Sequence, residues 1–248
     1  ALKIKKGKVC IFWLSVDNYF PKKEVNFFKS IYNSLLAFKH NKLPIFYLRK
    51  FFHLSQSEYA SLFLKKNKFK FHYVGDYINL DFRNNFSIQK KNDIILYNPS
   101  KGFKITKKLI KNNSNINFIP LTKLSKNKMK ELFEIAKIYI DFGMHPGRDR
   151  IPREAILSNC IIIVGKRGSG INAKDISIPK ELKLNPFDYN FENEFKKLIH
   201  DIFINYESYL DKLNKYKRVV ENDEKSFRNN VDLLVKIMHN EWIWFTYF

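Results

Sequence analysis

The sequence predicts an α/β protein with two Rossmann-like, parallel-sheet domains, the amino-terminal one incomplete, followed by carboxyl-terminal helices. Short apolar runs alternate with amphipathic stretches, the pattern of strands joined by crossover helices. A cleaner series of four strand–helix steps fills about 75 residues beyond Asp93, as expected of a Rossmann-like half-sheet. Hydrophobic residues make up 45% of the 248, with only 8 glycines and 8 prolines, which suits a large core and argues against disorder.

In chain order, KVCIFWLSV (Lys8–Val16) reads as a strand and 24–40 as helical or irregular. A short strand at Phe52–Ser55, a helix over Ser57–Lys66 capped by Ser57, and a strand at Phe71–Val74 follow. The polar stretch 83–92 interrupts the pattern and reads as a linker. Beyond it come a strand at Asp93–Tyr97, a turn at Asn98–Gly102, a helix at Ile105–Lys111 and a strand at Ile116–Ile119. A helix over Ser125–Lys137 with Ser125 as cap, a strand at Ile138–Phe142, a helix at Ile151–Ser158 and a strand at Ile161–Val164 complete the series. From Glu192 the chain reads as helical. The expected domains are thus 1–84, 93–205 and a helical segment 206–248.

Net charge is +21, from 45 basic against 24 acidic residues. Such a charge points to nucleic acid, an anionic membrane surface or an anionic substrate, or else to a compositional bias toward lysine. The distribution of arginine is more informative. Half of the arginines, Arg148, Arg150, Arg153 and Arg167, fall in HPGRDRIPREAILSNCIIIVGKRGSG (His145–Gly170). Guanidinium groups bind phosphate or carboxylate through paired hydrogen bonds, and a helix amino terminus favours anions. Two readings compete: the arginines face an anionic ligand, or Asp149 and Glu154 pair with them as a surface network. Cys10 and Cys160 are isolated, which makes neither a disulfide framework nor a metal site and suits a reduced compartment. No apolar run reaches the roughly 20 residues of a membrane span.

Individual residues carry further expectations. Glu154, one turn into its helix, suits a ribose diol, or alternatively is a helix-start acid. His145 in the preceding turn is either a phosphate donor or general acid, or a hydrogen-bonded structural residue. The loop Gly165–Gly170, including Gly168 and Ser169, ends a strand and can approach a ligand closely, but lacks the ending of a P-loop. Lys101 follows the first strand of the second series and can reach a diphosphate, or is an ordinary solvated lysine. Asp17, at the end of the first strand, is a candidate base or acceptor-sugar contact, or a turn former.

The run YIDFGMHPGRDRIPREAILSNCIIIV resembles the carboxyl-terminal domain of bacterial GT-B glycosyltransferases, closest to the group 1 and cell-surface polysaccharide types. YNPSKGF (Tyr97–Phe103) resembles the turn that opens the donor domain, and FIPLTKLS (Phe118–Ser125) the segment that touches the base. The resemblance implies a GT-B-like fold and transfer of a sugar from a nucleotide-sugar donor to a glycan or lipid-linked acceptor in lipopolysaccharide or polysaccharide synthesis. It implies that Glu154 holds the ribose, that Arg148, Arg150 and Lys101 hold the diphosphate, and that His145 lies beside the sugar or phosphate. No cofactor or metal is expected, since arginines and the helix dipole take the metal's place. A cytoplasmic enzyme with peripheral contact to anionic inner-membrane lipid is expected, and no nucleic acid as partner. Two departures stand out. The group 1 pattern has a second glutamate eight positions before Glu154, where this chain has Pro146. The 84 residues before the linker are also short for an acceptor domain, so an amino-terminal truncation is expected. Against this reading stand a nucleic-acid-binding protein and a degenerate transferase acting as a scaffold.

Overall fold

The computed structural model describes residues 9–19, 43, 45–82 and 91–245. The expected element at 24–40 and most of the expected linker, 83–90, lie outside them. The chain divides into two compact units: residues 1–76, 146–148 and 225–248 form one, and 77–145 with 149–224 the other. The expected helical segment 206–248 is therefore shared between the two.

The first unit is built on three parallel strands in the order β1-β2-β3: Cys10–Trp13, Phe52–Ser55 and Phe71–Tyr73. The first strand is shorter than expected, because Val16–Tyr19 turns into a helix. Trp13, Val16, Leu48, Ala60, Leu64 and Phe69 form its core. A buried imidazole ties this core together. Trp13 Nε1 donates to His53 Nδ1 at 2.8 Å, which leaves Nε2 to donate to Leu48 O at 2.9 Å. The helix Glu58–Lys66 starts as expected, with Ser57 Oγ accepting from Ala60 N.

In the second unit five parallel strands run in the order β5-β4-β6-β7-β8. They are β4 (Asn92–Tyr97), β5 (Asn117–Pro120), β6 (Ala136–Asp141), β7 (Ile161–Gly165) and β8 (Lys183–Leu184). The central strands are shielded on both faces, which explains their uninterrupted apolar runs: Ile138–Ile140 and Ile161–Val164 are fully buried. Helices Phe103–Asn112, Lys126–Ile135, Arg150–Leu157, Phe191–Ile204 and Tyr206–Glu221 supply the covering side chains, among them Leu109, Phe133, Ile156, Phe195 and Tyr216. The parallel α/β architecture expected from the sequence is present. Among the described residues no helix is long and apolar enough to cross a membrane.

The strand order fixes where a ligand can bind. β4 leads outward to β5 on one side and to β6 on the other, so the sheet reverses direction between β4 and β6. In open α/β sheets ligands bind outside the carboxyl ends of the strands at such a switch point. Lys101 lies on the loop after β4, and His145 through Asp149 on the loop after β6.

Helix Lys126–Ile135 ends earlier than the sequence suggests. Lys91 is buried, and its Nζ donates to Phe133 O and Ala136 O at 2.5 and 3.0 Å, satisfying carbonyls at the helix end. Farther along, Arg153 is 1% exposed and reaches Asp223 at 3.4 Å, itself 5% exposed, at the start of helix Asp223–Phe245. Breaking a buried pair from one side strands a charge, at a cost of about 3–5 kcal/mol, whereas replacing both members with apolar groups is often neutral. We expect Asp223→Ala to destabilise by about 3 kcal/mol in urea unfolding and the double variant Arg153→Met/Asp223→Leu to recover most of that loss. Additive losses would show that the pair is not coupled.

Candidate functional site

Two glycines allow the switch-point loops to meet. Gly102 has φ +63°, and a Cβ there would lie 2.6 Å from Gly143 N. On the opposing loop, a Cβ on Gly143 would lie 2.5 Å from Lys101 Cβ. This approach brings Lys101 Nζ within 2.7 Å of Asp149 Oδ1. The other oxygen of Asp149 takes the Nδ1 proton of His145 at 2.7 Å. Asp149 is the N-cap of helix Arg150–Leu157, a position where aspartate normally accepts from the first helical N–H groups. Here it makes no side-chain capping bond, because both carboxylate oxygens are committed to Lys101 and His145.

His145 is fully buried. Its Nε2 faces Asp141 O at 3.3 Å, so both ring nitrogens are held by protein atoms, and Asp141 in turn accepts from Tyr139 Oη and Gly143 N. The glycine-rich loop after β7 closes over the His145 main chain. Gly168 has φ +58°, a Cβ there would lie 2.1 Å from His145 O, and Ser169 N donates to that same oxygen at 2.8 Å. The close approach expected of Gly168 and Ser169 is thus made to the protein's own backbone. These bonds fix the His145 ring and so position the loop that carries it.

Burial alone would push the His145 imidazole toward neutrality. The hydrogen bond to Asp149 and the charges of Asp141 and Asp149 outweigh that and raise its pKa above the ordinary value. Burial likewise opposes the Asp149 carboxylate, but the bond to His145 and the charges of His145 and Lys101 leave its pKa lowered. Asp141 is raised, chiefly by burial. Asp141, His145 and Asp149 also place three potential metal-ligand atoms within 4.8 Å of one another. In this arrangement those groups are engaged in the hydrogen bonds just described.

The four clustered arginines all meet protein groups. Arg150 Nε and Nη2 fork onto Glu154 Oε1 at 2.9 and 2.6 Å. Arg153 donates to Asp149 O as well as facing Asp223, and Arg167 donates to Phe142 O. Arg148 belongs to the first unit, where it is buried, with Nη1 3.9 Å from Asp76. The carboxylate-network reading therefore describes Arg150 and Glu154. It does not describe Asp149, whose carboxylate serves His145 and Lys101. Asp17, also in the first unit, accepts from Tyr59 Oη at 3.1 Å. Lys101, His145, Arg150, Glu154, Gly168 and Ser169 fall together in the second unit, and Asp17 and Arg148 do not.

Glu154 differs from its neighbours in one respect. Its side chain is 2% exposed, and while Oε1 carries the Arg150 fork, Oε2 is buried without a hydrogen-bond partner among the described residues. A buried acceptor left unsatisfied costs on the order of 1–3 kcal/mol, more when charged, so such an atom in a native site calls for an explanation.

No family model matches the chain, and no curated sequence does. Solved structures do. The chain is similar to sucrose-phosphate synthase from Thermosynechococcus elongatus at 11% identity and a TM-score of 0.66, covering 93% of this chain and 68% of that one. It is similar to Anabaena Alr3699/HepE, solved in complex with UDP-glucose, at 10% identity and a TM-score of 0.60, over 92% and 72% of the two chains. A glycosyltransferase from Rickettsia africae ESF-5 aligns at 15% identity and a TM-score of 0.58, over 93% and 71%. These likenesses show a shared α/β, GT-B-like fold.

The His145–Asp149 pair makes stability depend on pH with a definite sign. With its folded pKa raised, protonated His145 contributes fully below its unfolded value, near 6.5, and the contribution is lost as pH rises through the folded value. Asp149, with its folded pKa lowered, contributes above its ordinary value and loses this as pH falls. The stability difference between wild type and His145→Gln should therefore shrink from pH 6 to pH 9, at no more than about 1.4 kcal/mol per pH unit for one proton. A difference that stays flat in urea unfolding across that range would contradict the pairing.

Proposed function

We propose that the second unit binds the nucleotide part of a nucleotide-sugar donor at the β4/β6 switch point, and that the chain transfers the sugar to a hydroxyl acceptor. The observation that carries this reading is Glu154: a buried carboxylate at the start of a helix beside the switch point, with Oε2 lacking a donor. A ribose diol supplies such donors. The resemblance of the segment around Glu154 to donor-domain glycosyltransferases supports the assignment, as does the fold shared with a protein solved with UDP-glucose. Lys101 and Arg150, both with solvent-reaching side chains, are the cations placed to meet a diphosphate.

The chemistry follows from these parts. The bond from the anomeric carbon to the diphosphate breaks, and its electrons stay on the diphosphate. A bond from the acceptor oxygen to the same carbon forms, and the acceptor proton passes to a base. Positive groups around the leaving group stabilise the charge that develops there, usually a large catalytic contribution. Lys101, Arg150 and the amino end of helix Arg150–Leu157 fill that role, with no metal required. His145 acts through Asp149, holding the loop that carries Arg150. Asp17 is our candidate for the base. Arg148, buried beside Asp76 in the first unit, is the weakest of the diphosphate assignments.

The acceptor we propose is a glycan or lipid-linked oligosaccharide of cell-surface polysaccharide synthesis. The net charge of +21 favours work at an anionic cytoplasmic membrane face over a nucleic-acid partner, because the arginines gather at one turn instead of along a groove. The Arg150–Glu154 pair and the proline at position 146 also suit a degenerate transferase acting as a scaffold.

Calorimetry with UDP, GDP and ADP separates these readings. One diphosphate should bind, and at a hundred times its Kd it should stabilise the fold by about 2.7 kcal/mol. Lys101→Met should weaken binding of that diphosphate and of pyrophosphate by about 1.5–3 kcal/mol and leave the nucleoside unchanged. Glu154→Gln should weaken the nucleoside. If no diphosphate binds the wild type, the scaffold reading replaces this one.

A further inference from the structure

We infer that the Arg150–Glu154 ion pair is an internal occupant of the donor site, which a nucleotide must break to bind, so that one side chain gates access to both halves of the site. The inference rests on the donor-site reading above and adds to it an order of events and an energetic conflict.

The asymmetry of the pair carries the argument. Arg150 has 67% of its side chain exposed, whereas the Glu154 side chain is 2% exposed. One partner is thus a long, solvent-exposed arm, and the other is buried in the wall. The guanidinium lies four residues before the carboxylate on the same helix and uses two of its nitrogens on a single oxygen, Oε1. Paired N–H donors on a carboxylate imitate the two hydroxyls of a ribose. They also spend the geometry with which arginine grips a phosphate. In this state the fork takes Glu154 Oε1 and leaves a ribose diol only Oε2, while the paired Arg150 donors that would grip a phosphate are spent on Glu154.

Neighbouring groups do not share this conflict, since the Lys101 ammonium has three donors and can keep Asp149 while meeting a phosphate. Arg153 is buried against Asp223, and Arg167 donates to Phe142 O. Lys101 is held by Asp149, whose other oxygen binds His145. Arg150 is therefore the member of the cluster free to move, and the rest of the wall is braced. When a nucleoside diphosphate enters, its ribose hydroxyls take over Glu154, with Oε2 now satisfied, and the released guanidinium turns to the diphosphate. A free diphosphate or a free nucleoside gains only one half of this exchange and bears the whole loss of the ion pair. An intact nucleotide regains both halves, so the gate discriminates against fragments.

Two half-ligands read the exchange separately. Arg150→Met uncovers Glu154, so uridine should bind about two- to fivefold more tightly than to wild type, a gain of the size an exposed ion pair contributes. Glu154→Gln releases Arg150, so inorganic pyrophosphate should bind tighter by a similar factor. UDP should bind both variants more weakly than wild type, because each lacks one half of the grip. Arg150→Lys, which keeps the charge but not the fork, should fall between wild type and Arg150→Met for uridine, and serves if Arg150→Met does not fold. If wild type binds UDP and both variants only lose affinity for uridine and for pyrophosphate, the groups are independent contacts and the gate is wrong, while the donor site stands. If wild type binds none of UDP, GDP and ADP, the donor site itself fails.

Discussion

The arrangement of the second unit depends on the close approach of the loops after β4 and β6. Five parallel strands reverse their winding between these two, and a side chain at position 102 or 143 would collide with the opposing loop. Because glycine occupies both positions, Lys101 reaches Asp149 across the switch point. Asp149 is thereby drawn away from capping its own helix and toward His145. The loop after β7 then locks His145 from behind, with Gly168 against its carbonyl. One steric constraint thus propagates into a braced wall of charge. The charged groups of that wall are mostly satisfied by one another, but Glu154 Oε2 has no hydrogen-bond partner among the described residues.

That exception separates structure from function in this cluster. Paired arginines and carboxylates are what a surface network needs, and three of the four clustered arginines face acids. A network alone leaves no reason to bury a carboxylate oxygen without a donor beside the switch point where α/β sheets bind their ligands. A site shaped for a hydroxyl-bearing ligand does. Under the proposed function, the exposed Arg150 has a role in both states: it neutralises Glu154 without ligand and the diphosphate with it.

Much of the fold was legible in the sequence because parallel strands buried on both faces leave unbroken apolar runs, as in Ile161–Val164. Turn chemistry and caps placed the helices, and Ser57 and Ser125 both cap as expected. What escaped depends on contacts between distant positions. The early end of helix Lys126–Ile135 comes from Lys91, more than forty residues upstream. β8, of two residues, has no periodicity to detect. At the site, the arginine cluster and Glu154 stood out by composition and spacing. The partners did not: Asp149 looked like an ordinary arginine partner, and its commitment to His145 and Lys101 appears only when β4 and β6 lie side by side. Nor could the sequence show that Gly168 packs against the carbonyl of His145, a contact between two separate loops.

A crystal structure of the chain soaked with UDP tests the central claim most directly. The account predicts the ribose hydroxyls within hydrogen-bond distance of Glu154 Oε2, the diphosphate beside Lys101 and the amino end of helix Arg150–Leu157, and the Arg150 guanidinium moved from Glu154 to a phosphate. UDP bound elsewhere, or bound at the switch point with Arg150 still forked onto Glu154, would contradict it.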